Sequence, residues 1–137
     1  MNSEVIQLVQ HSWAKVTPIA SQAAALFYRN LFTLDPSLKS LFQGDMEEQG
    51  KRLMEMIGTA VQKLDNLETV VPVLQSLGKR HVRYGVKEEH YQTVGTALLT
   101  TLAQGLGEHF TPQVKEAWTL VYGVMADVMM KAAYHNA

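Results

Sequence analysis

The stretch of sequence that decides the fold, LGKRHVRYGVKEEHY, covers residues 77 to 91. It continues a helical pattern of apolar residues, and this pattern predicts one helix from about Leu67 to Gly85, where the glycine ends it. The same spacing places His81 on the buried face of that helix. A lone histidine on an apolar face is usually a core residue bonded to a backbone carbonyl, so the role of His81 depends on the rest of the chain.

Helical spacing of apolar residues recurs almost everywhere else, and no segment alternates like a β-strand. The sequence therefore predicts an all-α protein of about seven helices. Prolines and capping residues mark the helix starts, and glycines mark several of the ends. The predicted helices begin at Ser3, at Pro18, at Asp35, after Gly44, near Leu67, at Glu88 and at Thr111, and the second, third, fourth and sixth end near Thr33, Phe42, Leu64 and Gly105.

Length and composition narrow the class of protein. The 137 residues, 47% of them apolar, suffice for a single domain covering 1–137 with one core. A formal charge of −1 argues against a nucleic-acid binder, because that affinity comes mostly from basic residues. The absence of cysteine excludes disulfides and thiolate metal sites. No stretch has the length and apolarity of a signal peptide or a membrane span, so we expect a cytoplasmic protein with no membrane partner.

Three polar side chains lie on helical stripes that should be apolar: Tyr28, Gln49 and His81. Each one has an ordinary explanation by itself, as a core tyrosine, a surface glutamine near a helix start and a core histidine. Buried polar groups need partners, however, and three such residues in one small domain invite a common explanation.

A resemblance to a known family supplies that explanation. The chain resembles the globins, and most closely the single-domain bacterial haemoglobins and the globin part of flavohaemoglobins. The resemblance covers essentially the whole chain and depends on the order and spacing of its elements. These are Trp13, the segment LFYRNLFTLDPSLKSLF at 26–42, Gln49 four residues before Leu53, His81 with YGV after it, Tyr91 ten residues beyond His81, and AWTLVYGVMADV at 117–128.

The resemblance implies a 3-on-3 helical sandwich that holds haem b, iron protoporphyrin IX. His81 would be the axial ligand of the iron, with its other ring nitrogen donating to a carbonyl near Leu77. Tyr28 would donate a hydrogen bond to the bound gas, and Gln49 would donate to the same gas or orient the tyrosine. The resemblance also assigns a lining to the haem slot, namely Phe42, Leu53, Leu77, Val86, Tyr91 and Val94.

The function implied first is reversible binding of oxygen, nitric oxide or carbon monoxide, for storage, transport or scavenging. The alternative is an enzyme of the nitric oxide dioxygenase type, for which Tyr28, Gln49, His81 and Tyr91 match the template. Because the chain ends where flavin and nicotinamide domains would begin, this enzyme would need a separate reductase. Ala133 also stands where the family places a glutamate that makes the axial histidine more electron-donating. A gas sensor and a cofactor-free helical interaction module remain further alternatives.

Overall fold

The computed structural model describes residues 2–42 and 44–135. No residue of these ranges lies in a β-strand, and the prediction of an all-α protein is confirmed. With the 3-10 helix Pro36–Leu41, the α-helices of the described residues give the seven helices that the sequence predicts. The α-helices are α1 (Ser3–Val16), α2 (Ala20–Leu34), α3 (Met46–Gln62), α4 (Val71–Arg83), α5 (Glu88–Leu106) and α6 (Pro112–Met130).

Short polar side chains begin most of these helices, as the sequence predicts, but the first helix uses a different one. Asn2, and not Ser3, caps α1, because its side-chain oxygen accepts a hydrogen bond from the Val5 amide at 2.9 Å. Asp45 caps α3 in the same way, and Thr111 caps α6 directly before Pro112. The helix starts therefore lie within a few residues of their predicted places, with one exception.

The exception is the helix that carries His81, which begins at Val71 and not near Leu67. Residues Leu64–Thr69 form a separate 3-10 segment, in which Asn66 has non-helical dihedral angles. The physical reason is Pro72, which lacks the amide that a helix beginning at Leu67 would need at that point. Proline is tolerated in the first turn of a helix, and this is the position that it takes in α4.

The helices pack as two layers around one main core. Helix α2 packs on α3 and α5, α1 packs on α6, and α4 packs on α6. Trp118 is fully buried, and its indole nitrogen donates to the Ser12 hydroxyl at 2.8 Å, which joins α6 to α1. None of the helices in the described ranges combines the length and apolarity that crossing a bilayer requires.

Glycine allows α4 to approach α6 very closely. A Cβ atom at Gly78 would lie 2.9 Å from the Cα and the carbonyl carbon of Met129, a separation that real Cβ atoms essentially never show. Because Gly78 is one helical turn before His81, this contact fixes the position of the turn that carries the histidine.

Candidate functional site

His81 is half-buried on α4, and its ring is held by its own helix. The Nδ1 atom lies 2.7 Å from the Leu77 carbonyl oxygen. Because a carbonyl can only accept, Nδ1 carries the proton and Nε2 keeps a free electron pair. Burial lowers the pKa of His81, the hydrogen bond to Leu77 acts in the opposite direction, and the charge of Arg80 lowers it further. The side chain is therefore a neutral imidazole with one nitrogen available to a metal.

The turn after α4 is bonded to the histidine through the backbone. The Val86 amide donates to the His81 carbonyl oxygen at 2.9 Å. The Val86 carbonyl oxygen in turn accepts a hydrogen bond of 2.5 Å from the Tyr134 hydroxyl. Tyr134 lies in a π-helix, Lys131–His135, that extends α6. The end of the described chain thus fixes the turn next to His81.

Tyr91 lies in the first turns of α5 and is 7% exposed. Its backbone carbonyl accepts a hydrogen bond of 2.6 Å from the Tyr122 hydroxyl. Its own hydroxyl is buried and has no hydrogen-bond partner among the described residues. Burial, with a smaller contribution from Tyr134, raises the pKa of Tyr91 to about 12, so this hydroxyl stays protonated and available as a donor.

Tyr28 lies on α2 at the centre of an aromatic cluster. Its ring centroid is 5.3 Å from that of Phe42 and 6.0 Å from that of Phe32, and the latter two rings are 5.4 Å apart. Burial raises the pKa of Tyr28 to about 12, and the hydroxyl is therefore neutral and protonated at pH 7. The structure brings Tyr28 and Phe42 together, as the resemblance implies.

Gln49 is half-buried in the first turn of α3, where its backbone amide donates a hydrogen bond to the Asp45 carbonyl oxygen at 3.1 Å. Its neighbour Gly50 is buried against α2, because a Cβ there would lie 2.9 Å from Ala24 Cβ and 3.7 Å from Tyr28 Cε2. The crossing of α2 and α3 therefore places the residue next to Gln49 directly against the tyrosine. The hydrogen bond that we expect between the Gln49 side chain and a bound gas is a prediction.

The other predicted lining residues share one property, which is partial burial. A packed core buries apolar side chains completely, whereas residues along an internal crevice keep part of their surface exposed. The core cluster includes three of them at its edge, Phe42, Leu53 and Val94. The half-buried lining residues are Phe42, Leu53, Leu77, Val86 and Val94.

The residues of this site fit a haem group on two observations. His81 presents a neutral ring with its second nitrogen already bonded, which is the arrangement of a histidine ligand to a metal. Tyr91 presents a buried hydroxyl without a partner, which is costly in a packed protein and calls for a group that is bound there. His81 would hold the iron, and the half-buried apolar residues would line the ring.

Sequence reasoning missed three residues that support the site. Tyr134 and Tyr122 bond to backbone carbonyls of Val86 and Tyr91, and Gly78 sets the distance between α4 and α6. The sequence around Tyr122 and Tyr134 has no periodic pattern that would predict such hydrogen bonds. Gly78 could have been noticed as a glycine inside a helical pattern, which often marks a close approach.

Comparison with known proteins gives a consistent result. The family model described as Globin matches residues 25–129. The flavohemoproteins of Bacillus cereus and Bacillus anthracis are 29% identical to this chain over 133 residues, which cover 95% of this chain and 33% of theirs. The chain thus spans about a third of the length of these curated relatives. A solved structure of a bacterial globin from Campylobacter jejuni matches with a TM-score of 0.82 and 27% identity, covering 96% of this chain and 95% of that chain.

Proposed function

The chain belongs to the globin family, and we propose from this premise that it binds haem b and uses the iron to bind oxygen reversibly. Nitric oxide and carbon monoxide are the other diatomic gases that we include. Membership of the family supports haem-based gas binding in general. The choice of haem b, the residues in the following paragraphs and a role in oxygen storage, transport or scavenging are our proposal.

The observation that carries the proposal is the bond between His81 Nδ1 and the Leu77 carbonyl. It fixes the tautomer in which Nε2 is unprotonated, and it holds the ring on the half-buried face of α4. A histidine whose second nitrogen donates to a carbonyl is a stronger and better oriented metal ligand than a freely rotating one. We therefore assign His81 as the axial ligand of the iron.

Haem b is favoured over covalently attached haem because the chain has no cysteine to form thioether bonds. When bound, haem supplies an iron atom with one open position for a gas. The protein has to provide the axial ligand, an apolar lining and a hydrogen-bond donor on the open side. The six residues Phe42, Leu53, Leu77, Val86, Tyr91 and Val94 are our proposed lining.

Tyr28 is the donor that we propose for the gas. Its ring packs against Phe42 and Phe32, and burial keeps its hydroxyl neutral and able to donate. A hydrogen bond to a strongly polarised partner contributes about 1.5 to 3 kcal/mol, which corresponds to a roughly tenfold to hundredfold change in affinity. Gln49, on the neighbouring helix, would donate to the same gas or orient the tyrosine.

Reversible binding is the function that the site supports best. The enzymatic alternative relies on stronger electron donation to the axial histidine, and Ala133 has no group that can hydrogen-bond the ring. Residues 1–137 serve in this proposal as one gas-binding domain.

Absorbance and gas titration test the proposal. The purified protein, loaded with haem, is expected to show an intense absorption band at the violet edge of the visible range, and this band should shift when carbon monoxide is added to the reduced form. Oxygen should then bind and leave on cycles of oxygenation and evacuation. A folded protein that takes up no haem would overturn the proposal, and so would a haem complex that is oxidised at once by oxygen without a reversible oxygenated state.

A further inference from the structure

The stretch around His81 has a charge that differs in sign from that of the whole chain. Residues 77–91 contain four cationic side chains, Lys79, Arg80, Arg83 and Lys87, and two anionic ones, Glu88 and Glu89. The complete chain has a formal charge of −1. Positive charge is therefore concentrated at the helix that carries the candidate axial ligand, and the rest of the surface is acidic on balance.

Three of these cations share one face of α4 with two exposed apolar side chains. Successive residues of an α-helix are about 100° apart, which places Lys79, Arg80 and Arg83 within a sector of roughly 100°. Val73, in α4, and Tyr84, the residue directly after α4, border the same sector and are 55% and 61% exposed. We call this surface the outer face of α4, and it consists of Val73, Lys79, Arg80, Arg83 and Tyr84.

The cations of the outer face take part in neither of the ion pairs that the described part of the chain shows. Ion pairs among the described residues join Arg52 to Glu48 and Lys131 to Asp127, and neither pair includes a residue of this face. Tyr84 projects its ring into solvent instead of covering the core. Arginine and tyrosine are enriched in the centres of protein interfaces, where the ring supplies contact area and the cation supplies specificity.

We propose that the outer face of α4 docks an acidic protein that carries single electrons, and that this partner returns the iron to its ferrous state. The inference rests on the proposed function, because it assumes that His81 holds haem iron. The ring centroids of Tyr84 and His81 are 6.3 Å apart. A partner in contact with Tyr84 is therefore one side chain away from the axial ligand, which is a short path for an electron.

The electron balance of this step is simple. The reduced carrier, a flavin or iron–sulfur protein, gives up one electron, and one ferric iron becomes ferrous. No bond to this chain forms or breaks. An oxygen-binding globin needs such a step because oxygen slowly converts its iron to the ferric form, which no longer binds oxygen. The small size of the face suits this role, since encounters between electron-transfer proteins bury little surface and are brief.

Two other polyanions fit the face less well. Lipid recognition by charge takes about four to eight adjacent basic residues beside a membrane anchor, and three lie on this face. Nucleic-acid affinity grows with the number of phosphates neutralised, and a chain of net charge −1 repels the rest of a long polyanion. A folded acidic protein of matching size avoids this repulsion and can use the contact area of Tyr84.

The test uses the ferric haem-loaded protein and reduced flavodoxin, an acidic one-electron carrier, as the probe. The dissociation constant and the second-order rate of reduction are measured at several ionic strengths. The variant Lys79→Glu/Arg83→Glu reverses two charges of the face and leaves Arg80, whose charge acts on His81, in place. The variant Lys15→Glu/Lys115→Glu makes the same change in net charge on α1 and α6 and serves as the matched control.

We expect the face variant to bind flavodoxin at least tenfold more weakly and to be reduced at least tenfold more slowly at low ionic strength, with the difference shrinking as salt is added. The control variant should lose much less. Tyr84→Ser should weaken binding at every ionic strength, because it removes contact area and no charge. Reduction by dithionite, a small reagent, should be the same for all of them.

Several results would overturn the inference. Equal losses in the face and control variants would show that only net charge matters. Binding of the wild-type protein to phosphatidylserine vesicles in preference to flavodoxin would assign the face to a membrane, and self-association that Tyr84→Ser abolishes would assign it to a second copy of this chain. If the protein binds flavodoxin but takes up no haem, the proposed function is wrong, whereas the proposed docking surface is supported.

Discussion

His81 and Tyr28, on the two sides of the proposed haem, are held by different kinds of interaction. On the histidine side, hydrogen bonds to backbone carbonyls fix the ring, the turn at Val86 and the start of α5. On the tyrosine side, rings pack on rings, and no described residue provides a hydrogen bond to the Tyr28 hydroxyl. The side chain that we propose as the metal ligand is held by hydrogen bonds, whereas the side chain that we propose as the donor to the gas is held by ring packing.

The largest effect is expected when the proposed axial ligand, His81, is removed. His81→Ala should lose stable haem binding, because it removes the imidazole that we propose as the axial ligand of the iron. Haem titration followed by absorbance measures the effect. His109→Ala, at an exposed position, is the control and should titrate like the wild type. An unchanged absorption band and stoichiometry in His81→Ala would mean that another residue holds the iron.

Removal of the donor tests the other side. Tyr28→Phe keeps the aromatic cluster but loses the hydroxyl, and oxygen release should become roughly tenfold to hundredfold faster. Stopped-flow displacement of oxygen by carbon monoxide gives the rate. Tyr122→Phe removes a hydroxyl from the histidine side and should change release much less. Equal rates in Tyr28→Phe and the wild type would mean that Tyr28 is not the donor, and that either Gln49 or no residue donates to the gas.

The close approach of α4 and α6 is tested by adding one methyl group. Gly78→Ala should destabilise the fold by about 1 to 3 kcal/mol, because the new Cβ overlaps the Met129 backbone. Gly123→Ala, in α6, has no atom within 4 Å of the new Cβ and should stabilise by about 0.5 to 1 kcal/mol. Urea unfolding of both variants measures the difference. If both variants gained stability, α4 would not be held by this contact.

The hydrogen bonds to the carbonyls of Val86 and Tyr91 should each have a modest effect. Tyr122→Phe and Tyr134→Phe should each lower the free energy of unfolding by about 0.5 to 1.5 kcal/mol. Tyr84→Phe removes an exposed hydroxyl and should have no measurable effect. Urea unfolding again provides the measurement. If neither Tyr122→Phe nor Tyr134→Phe differed from Tyr84→Phe, the histidine side would be held by packing, like the tyrosine side.

The smallest expected effect concerns pH. Burial lowers the pKa of His81 in the folded chain, so the unfolded chain binds the proton more readily. The contribution of the neutral ring to the free energy of unfolding is fully present above the pKa that the histidine has in the unfolded chain, about 6.5. This contribution declines as the pH falls below that value. Unfolding of the haem-free wild type and of His81→Gln between pH 7.5 and 5.5 isolates this slope. A slope that is equal in both proteins would contradict the burial of a neutral His81.

Much of the fold could be predicted from the sequence because apolar spacing, prolines and caps are local signals. Periodicity predicted His81 on the buried face of its helix, where the structure shows it half-buried, and the Leu77 carbonyl is its observed partner. The predicted start of α4 was wrong because the apolar pattern continues through the 3-10 segment before Pro72. The bonds of Tyr122 and Tyr134 could not be predicted, since they depend on how α6 crosses two other helices. Site roles were reached through the resemblance and remain to be tested.

The unpartnered hydroxyl of Tyr91 has a consequence for the cell. A buried polar group left without a partner costs about 1 to 3 kcal/mol, and we propose that bound haem relieves this cost, which destabilises the haem-free chain. A difference of that size changes the unfolded fraction severalfold or more, and proteases remove unfolded chains. We therefore expect the amount of this protein to follow the supply of haem, so that chains made during haem shortage are degraded sooner than those made when it is plentiful.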